Sequence, residues 1–229
     1  MKYNSVHIVK TADGSHTVKI ADIDEHYHSV NGALSESLHV FINNGFYYVN
    51  KNRFNILEIG FGTGLNAMLT FMEAEKSDRI AEYTALELYP VDKEIFCKLN
   101  YAEILNVDSN KYFLPLHTCE WNKSIELSKN FTFKKINIDL NKYTDDKLFD
   151  VIYFDAFAPD KQSELWSERI FEKMFSILNN GGILVTYSSK GEVKRSMRSV
   201  GFTVKRLQGA AGKHHMIRAE KINNPKLSI

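Results

Sequence analysis

The chain has 229 residues, 44% of them hydrophobic and 25% charged, with a formal net charge of +1, as in an ordinary globular protein. This composition excludes a disordered chain, a collagen and a coiled coil, and no apolar run reaches the length of a membrane-spanning helix. The two cysteines, Cys97 and Cys119, lack the spacing of a disulfide scaffold or a metal site, and the N-terminus lacks a signal-peptide pattern, so we expect a cytoplasmic protein without a metal.

Residues 1–50 predict an N-terminal extension. Residues 6–10 and 17–20 alternate apolar and polar side chains, and Asp13-Gly14 between them is a common hairpin turn signal. A helical pattern follows over residues 33–42. We therefore predict a β-hairpin and a helix here, ahead of a larger domain at residues 51–220 and a tail at residues 221–229.

From residue 55 onward, predicted strands and helices alternate, which is typical of a mostly parallel sheet with helices on both faces. Strands are predicted at residues 56–59, 82–88, 131–138, 149–154, 183–187, 202–206 and 215–219. Helices are predicted at residues 65–75, 91–99, 164–178 and 191–200, with two short helices and a loop at 104–129. No helix separates the last two strands, so the last strand is expected to be antiparallel. The predicted fold is a Rossmann-like α/β domain with a seven-stranded sheet.

A glycine-rich turn joins the first predicted strand of this domain to its helix. Residues 58–66 read Glu-Ile-Gly-Phe-Gly-Thr-Gly-Leu-Asn, so the backbone can bend sharply and approach a ligand at a helix N-terminus. A dinucleotide-binding fingerprint needs a glycine where this chain has Leu65, and a P-loop needs Gly-Lys-Ser/Thr, which this turn lacks. Both patterns are therefore excluded. The remaining match is the Glu-x-Gly-x-Gly-x-Gly pattern of methyltransferases that bind S-adenosylmethionine (SAM).

Three carboxylates follow the next predicted strands at the edge where open α/β sheets bind ligands. Glu87 ends the second strand and can accept hydrogen bonds from both ribose hydroxyls of SAM, and Asp139 after the third strand can accept from the adenine amino group. Asp155 ends the fourth strand. A primary amine is mostly protonated at neutral pH and must lose a proton before it accepts a methyl group. Asp155 is therefore the candidate that orients an amine and takes or relays its proton.

Longer stretches resemble one known family, the methyltransferase part of the bacterial tRNA 5-methylaminomethyl-2-thiouridine biosynthesis enzyme. They are Tyr27-His28-Ser29 with Gly32-Ala33 and Glu36, residues 40–44 and 58–66, Asp155 to Pro159 with Glu164-Leu165-Trp166, residues 182–191, Gly201-Phe202 and residues 212–216. The resemblance implies a class I SAM-dependent methyltransferase acting on the aminomethyl group of the wobble uridine in tRNA. Some members are fused to a flavin-dependent oxidoreductase. Because this sequence ends at residue 229, we expect a stand-alone methyltransferase whose substrate is supplied by separate enzymes of the modification pathway.

The motifs and the resemblance together assign candidate site residues. Cofactor binding is assigned to Glu58, Gly60, Phe61, Gly62, Thr63, Gly64, Asn66, Glu87, Asp139 and Asp155. Asp155 is also the candidate catalytic residue. Substrate binding is assigned to Tyr27, His28, Phe157, Tyr187, Ser188, Lys190 and Lys213.

The charge of the chain is concentrated near its C-terminal end. Residues 190–218 carry eight basic groups against one acid, whereas residues 51–189 are net acidic. A basic segment of this kind suits an anionic partner, so we expect tRNA phosphates to bind here, together with the extension near Tyr27-His28. Many relatives have Lys-Arg-Glu-Met near the C-terminus. The corresponding stretch here is Lys213-His214-His215-Met216, so histidines replace the Arg and the Glu.

Three alternatives stay open from the sequence. An aminopropyltransferase of the polyamine pathway shares the fold and holds an amine with a strand-end aspartate, but its turn usually has an acidic residue where Thr63 stands. A small-molecule amine methyltransferase would share the cofactor site. A non-catalytic SAM-binding or RNA-binding module would leave Asp155 dispensable.

Overall fold

The computed structural model describes residues 5–210 and 212–222, so the predicted tail lies outside the described residues from 223 onward. The strands of a smaller sheet are β1 (Val6–Lys10), β2 (His16–Ile20) and β3 (Glu25–His26). Those of a larger sheet are β4 (Arg53–Ile59), β5 (Ile80–Glu87), β6 (Ser124–Ser128), β7 (Phe131–Asn137), β8 (Phe149–Phe154), β9 (Leu178–Thr186), β10 (Thr203–Gln208) and β11 (His215–Glu220). The α-helices are α1 (Ala33–Ser37), α2 (Leu65–Lys76), α3 (Lys93–Phe96), α4 (Tyr101–Ile104), α5 (Ser109–Tyr112), α6 (Leu114–Thr118), α7 (Glu168–Ser176) and α8 (Gly191–Ser199). Short 3-10 turns lie at Ala21–Ile23, Phe46–Tyr48 and Ser163–Trp166.

The smaller sheet contains the predicted N-terminal hairpin. β1 and β2 pair antiparallel with Asp13-Gly14 between them, and β3 adds a short third strand. The helix predicted next begins as α1 and continues as a π-helical segment, Leu38–Asn43. Val18 of β2 and Phe41 of this segment are buried in the same apolar cluster as Ile56 of β4, so the extension shares its core with the larger domain.

The larger sheet has the strand order β10-β11-β9-β8-β4-β5-β7-β6. β4 pairs in parallel with β5 and β8, β5 pairs in parallel with β7, and β8 pairs in parallel with β9. The last strand, β11, lies antiparallel between β9 and β10. The predicted mostly parallel sheet with an antiparallel last strand is therefore confirmed, but it has eight strands rather than seven.

The additional strand is β6, which lies in the region predicted as two short helices and a loop. β6 forms an antiparallel hairpin with β7, with Ile125 opposite Phe133. Ile125 and Leu127 are partly buried and alternate with more polar residues, as in an edge strand with one face on the core. Pairing with β7, rather than a local helical preference, therefore determines this segment.

Apolar layers cover both faces of the larger sheet. β8 is buried along its whole length, with Val151 and Tyr153 in the cluster that contains α2 residues. Ile152 and Phe154 lie in the second cluster, which contains residues of α7 and α8. This two-sided burial explains why β8 is apolar at every position except Asp150, whose carboxylate pairs with Lys51.

The direction of chain progress across the sheet reverses between β4 and β8. From β4 the chain proceeds to β5 and β7 on one side, and from β8 it proceeds to β9 on the other. Ile59 at the end of β4 lies opposite Phe154 at the end of β8, and the Asp155 amide donates to the Ile59 carbonyl oxygen at 3.0 Å. The glycine-rich turn and Asp155 are thus neighbours in the crevice where open α/β sheets bind ligands.

Candidate active site

A cavity of about 280 Å³ opens at the carboxyl ends of the central parallel strands. The sequence-predicted residues that line it are Tyr27, His28, Gly60, Phe61, Gly62, Thr63, Glu87, Asp139, Asp155 and Phe157. Apolar side chains that also line it include Leu88, Ile138, Leu140 and Leu165. The fold therefore gathers most of the predicted site residues from distant segments around one cavity with both polar and apolar walls.

The glycine turn owes its shape to positions that other residues would strain. Gly60, Gly62 and Gly64 have φ values of 91°, 50° and 75°. A Cβ at Gly60 would lie 2.7 Å from the Asp155 carbonyl oxygen, and one at Gly62 would lie 2.8 Å from Cδ1 of Tyr27. Glycine thus lets the turn approach both the end of β8 and the N-terminal extension.

Two carboxylates line the cavity at the ends of β5 and β7. Glu87 accepts hydrogen bonds from the backbone amides of Gly62 at 2.9 Å and Tyr89 at 2.8 Å, and burial raises the pKa of its carboxyl group. Asp139 accepts from the Asn141 amide at 2.8 Å, which lowers the pKa of Asp139. Backbone amides therefore hold each carboxylate in place at the cavity wall.

Asp155 belongs to a hydrogen-bonded group that continues beneath the cavity. Nδ2 of Asn66 donates to Oδ2 of Asp155 at 2.8 Å and to Oε1 of Glu58 at 3.0 Å. Burial, followed by the nearby Glu36 charge, raises the pKa of Asp155 to about 7, although the Asn66 bond opposes this rise. Burial also raises the pKa of Glu58. Asp155 faces the cavity, whereas Glu58 and Asn66 are buried behind it and orient it.

Residues from three segments meet beside Asp155. Tyr187 follows β9, and its hydroxyl donates to the Ala156 carbonyl oxygen at 2.9 Å. Lys213, in the loop between β10 and β11, lies over the Tyr187 ring, with Nζ 4.0 Å from the ring centroid. The same ammonium donates to the Glu36 carboxylate of α1. These contacts join the N-terminal extension, the residue after β9 and the C-terminal hairpin behind Ala156, which itself lines the cavity.

The aromatic side of the cavity comes from the extension and the loop after β8. The rings of Tyr27 and Phe157 pack edge to face, with centroids 5.0 Å apart. His28 is buried, and burial lowers its pKa to about 4, so its imidazole is neutral at neutral pH. The Phe61 ring points into the core against His117 and so offers the cavity mainly its backbone.

The other sequence-predicted residues are not part of the cavity lining, namely Glu58, Gly64, Asn66, Tyr187, Ser188, Lys190 and Lys213. The Gly64 position faces His117, where a Cβ would lie 2.7 Å from Nε2. Ser188 is buried beyond the end of β9. Lys190 is exposed and forms an ion pair with Asp160.

Sequence reasoning missed two polar residues of this region. Gln162 lines the cavity, and its side-chain oxygen accepts from the Phe157 amide at 3.0 Å. Glu36, although part of a matched motif, was not assigned to the site. Glu36 could have been assigned from the sequence, because it belongs to the same family-like stretch as Tyr27-His28. Nothing in the sequence pattern singles out Gln162.

Within residues 5–210 and 212–222, His, Cys, Asp and Glu do not gather into any group of three or more that could hold a metal ion. The helices in these ranges are also too short or too polar to cross a membrane.

Comparison with known proteins identifies the family of this chain. The family model described as S-adenosyl-L-methionine-dependent methyltransferase matches residues 98–222, more than half of the chain. A tRNA 5-methylaminomethyl-2-thiouridine biosynthesis bifunctional protein from Campylobacter hominis is 31% identical over 173 residues, covering 74% of this chain and 26% of its own length. The chain spans about a third or less of the length of the curated relatives it matches.

Solved structures agree with the fold. The crystal structure of MNMC2 from Aquifex aeolicus matches with a TM-score of 0.76 and 25% identity, covering 94% of this chain and 70% of that one. Spermidine synthase from Thermotoga maritima matches with a TM-score of 0.52 and 13% identity, covering 96% of this chain and 74% of that one. This likeness shows the fold alone. From the family match and this architecture, the chain belongs to the S-adenosyl-L-methionine-dependent methyltransferase family, and its cofactor is SAM.

Proposed function

We propose that the protein transfers a methyl group from SAM to the primary amine of an aminomethyl uridine in tRNA. The observation that carries this proposal is Asp155, a carboxylate with a pKa of about 7 that faces the cavity beside the glycine turn. The relatives named for tRNA 5-methylaminomethyl-2-thiouridine biosynthesis support the choice of substrate. We expect the protein to act in the cytoplasm, after separate enzymes have installed the aminomethyl group.

The residues around the cavity fit SAM. Glu87 offers carboxylate oxygens for the ribose hydroxyls, and Asp139 offers an acceptor for the adenine amino group. Leu88, Ile138 and Leu140 supply apolar surface for the adenine ring. SAM supplies a methyl group bonded to a positively charged sulfur.

Asp155 is suited to remove a proton from the substrate ammonium. A general base works best when its pKa lies near the operating pH, and the pKa of Asp155 is about 7. The N–H bond breaks, the proton passes to the Asp155 carboxylate, and the electron pair stays on nitrogen. Asn66 holds Oδ2 of Asp155, which fixes the carboxylate while the neutral amine aligns with the methyl group.

The surface beside the cavity suits an RNA backbone. Among the described residues, Lys194, Arg195, Arg198, Lys205 and Arg206 form no ion pair with an acid. Burial lowers the pKa of His215, and the positive charges of Arg206 and Lys194 lower it further, so α8 and β10 both contribute positive charge around His215. His215 begins β11 directly after the loop that carries Lys213, whose ammonium contacts Glu36 and Tyr187.

Replacing Lys194, Arg195 and Arg198 of α8 by Ala in one triple variant is expected to lower the affinity for tRNA. The affinity of this variant should also depend less steeply on salt concentration. Each phosphate contact to single-stranded RNA contributes about −0.7 to the slope of log affinity against log salt concentration, so the loss of three contacts should reduce the slope by about 2. Binding of labelled tRNA over a salt series measures this change. A matched control replaces Lys76, Lys123 and Lys129, which are already paired with acids. Equal slopes for the two triple variants would contradict an interface on α8.

Replacing Glu87 with Gln is expected to weaken SAM binding by about 1–3 kcal/mol, the scale of a hydrogen bond to a charged group. Gln keeps the size of the side chain but loses one acceptor for the ribose and its charge. Isothermal titration calorimetry with SAM measures the effect. Asp145, whose side chain accepts from Tyr143, is a control carboxylate outside the cavity lining. Unchanged SAM affinity in the Glu87 variant would argue against a role in ribose binding.

The substrate is tested by supplying methyl-labelled SAM with two acceptors in parallel. One is tRNA that carries an aminomethyl wobble uridine, and the other is a free aliphatic diamine. We expect label in tRNA alone. Label in the diamine but not in tRNA would replace the proposal with transfer to small amines.

A further inference from the structure

The Lys213 ammonium lies in a small site built from the C-terminal hairpin, α1 and β9. It donates to the Glu36 carboxylate and lies 4.0 Å from the centroid of the Tyr187 ring. The Glu36 side chain is only 7% exposed, and its second oxygen accepts from the Ser29 amide at 2.9 Å. A fixed carboxylate combined with an aromatic face is a favourable environment for an alkylammonium ion.

This site adjoins the reacting carboxylate. The Tyr187 hydroxyl donates to the carbonyl oxygen of Ala156, the residue after Asp155. The charges of Glu36 and Lys213 act in opposite directions on the pKa of Asp155, so both groups lie within electrostatic reach of it. Because Tyr187 also contacts the residue after Asp155, an ammonium held by Glu36 and Tyr187 would lie in the neighbourhood of its proton acceptor.

A second feature points to a ligand at this side of the cavity. His28 lines the cavity and is 8% exposed, yet its Nδ1 has no hydrogen-bond partner among the described residues. A buried polar atom without a partner is costly unless a ligand or water completes it. His28 directly precedes Ser29, whose amide holds Glu36.

We propose that Glu36 and Tyr187 bind the protonated amine of the substrate, and that Lys213 occupies their site in the free protein and leaves it when the substrate enters. This inference rests on the proposed function for the identity of the amine. The lysine ammonium and the aminomethyl ammonium are the same chemical group, so the site already holds a copy of the ligand. The displaced Lys213 remains next to His214, on the side where tRNA phosphates are expected.

The binding site is tested without catalysis by using methylammonium chloride as the probe. Lys213→Ala removes the internal ammonium and leaves the Glu36 carboxylate without its cation. The Tm of this variant should therefore be lower than that of the wild type. Methylammonium at about ten times its dissociation constant should then raise the Tm of this variant by about 3–6 °C above that measured in equal sodium chloride. The wild-type protein and the Glu36→Gln/Lys213→Ala double variant should show less than about a third of that rise. Equal rises in all three proteins would overturn the proposal.

If Lys213→Ala does not fold alone, the same comparison is made during purification. Recovery of folded protein in methylammonium but not in sodium chloride supports the site, and recovery in neither salt contradicts it.

Competition for the site is tested with the nucleoside 5-aminomethyluridine in the presence of the demethylated cofactor product. Lys213→Ala should bind it about tenfold more tightly than the wild type, and Glu36→Gln about tenfold more weakly. The uncharged 5-hydroxymethyluridine should not distinguish the variants. Weaker binding by both variants would indicate an ion pair with a merely structural role. If methylammonium rescues Lys213→Ala but the wild type methylates no tRNA, the ammonium site stands and the proposed substrate fails.

Discussion

Replacing Asp155 with Asn is expected to lower the rate of methyl transfer by about 10²–10⁴-fold, the range for loss of a general base. Asn retains the size of Asp and can still accept the hydrogen bond from Asn66, but it cannot take the proton of the substrate ammonium. Turnover of aminomethyl tRNA at saturating SAM measures the loss. Asp139→Asn is the matched control, because it removes a carboxylate from the same cavity but should alter the KM for SAM rather than kcat.

The wild-type pH profile provides a second readout of the same group. Because Asp155 acts in its ionised form and has a pKa of about 7, kcat/KM should fall about tenfold per pH unit below this value. In the Asp155→Asn variant, kcat/KM should no longer show the decrease below pH 7 that is caused by protonation of Asp155. Full activity in the variant, with the same pH profile, would show that Asp155 only orients the loop.

The same substitution is expected to stabilise the protein at pH 8 by up to about 4 kcal/mol, because 1 pKa unit corresponds to about 1.36 kcal/mol. The pKa of Asp155 is raised from 3.8 to about 7, mainly by burial. Between these values the unfolded chain releases its proton and the folded protein retains it, so the free energy of unfolding falls as pH rises. Asn carries no charge and avoids this cost.

Urea denaturation of both proteins from pH 4 to pH 8 measures the effect. The stability advantage of Asp155→Asn should be small at pH 4, grow up to about pH 7 and then level off. Burial raises the pKa of Glu58 in both proteins, and only the smaller rise caused by the Asp155 charge is lost in the variant. An advantage that is constant over the whole pH range would mean that the ionisation of Asp155 is not responsible.

The larger sheet was predictable because its central strands carry strong local signals. β8 is apolar at every position except Asp150, and the glycine turn after β4 marks a change from strand to helix. The strand β6 was missed because its short Ser-Ile-Glu-Leu-Ser sequence has little preference of its own until it pairs with β7. The π-helical segment after α1 was read as ordinary helix, since its apolar residues fit both forms.

The meeting of the candidate cofactor residues at one cavity was also predictable, because the carboxyl ends of parallel strands meet at one edge. This rule brings Glu87 and Asp155 to the same cavity as the glycine turn. The pairing of Glu36 with Lys213 was not predictable, because the two residues are 177 positions apart and their contact depends on how the extension packs on the C-terminal hairpin. Sequence patterns report local structure and sheet edges, and they do not report such contacts.

The most direct test of the account is nucleoside mass spectrometry of tRNA treated with the purified protein and SAM. The tRNA is taken from cells that lack the protein, so that its wobble uridine still carries the aminomethyl group. The account requires that 5-aminomethyl uridine be converted to the species heavier by one methylene unit, and that Asp155→Asn leave it unconverted. An unchanged nucleoside profile with a wild-type protein that binds both SAM and tRNA would contradict the account.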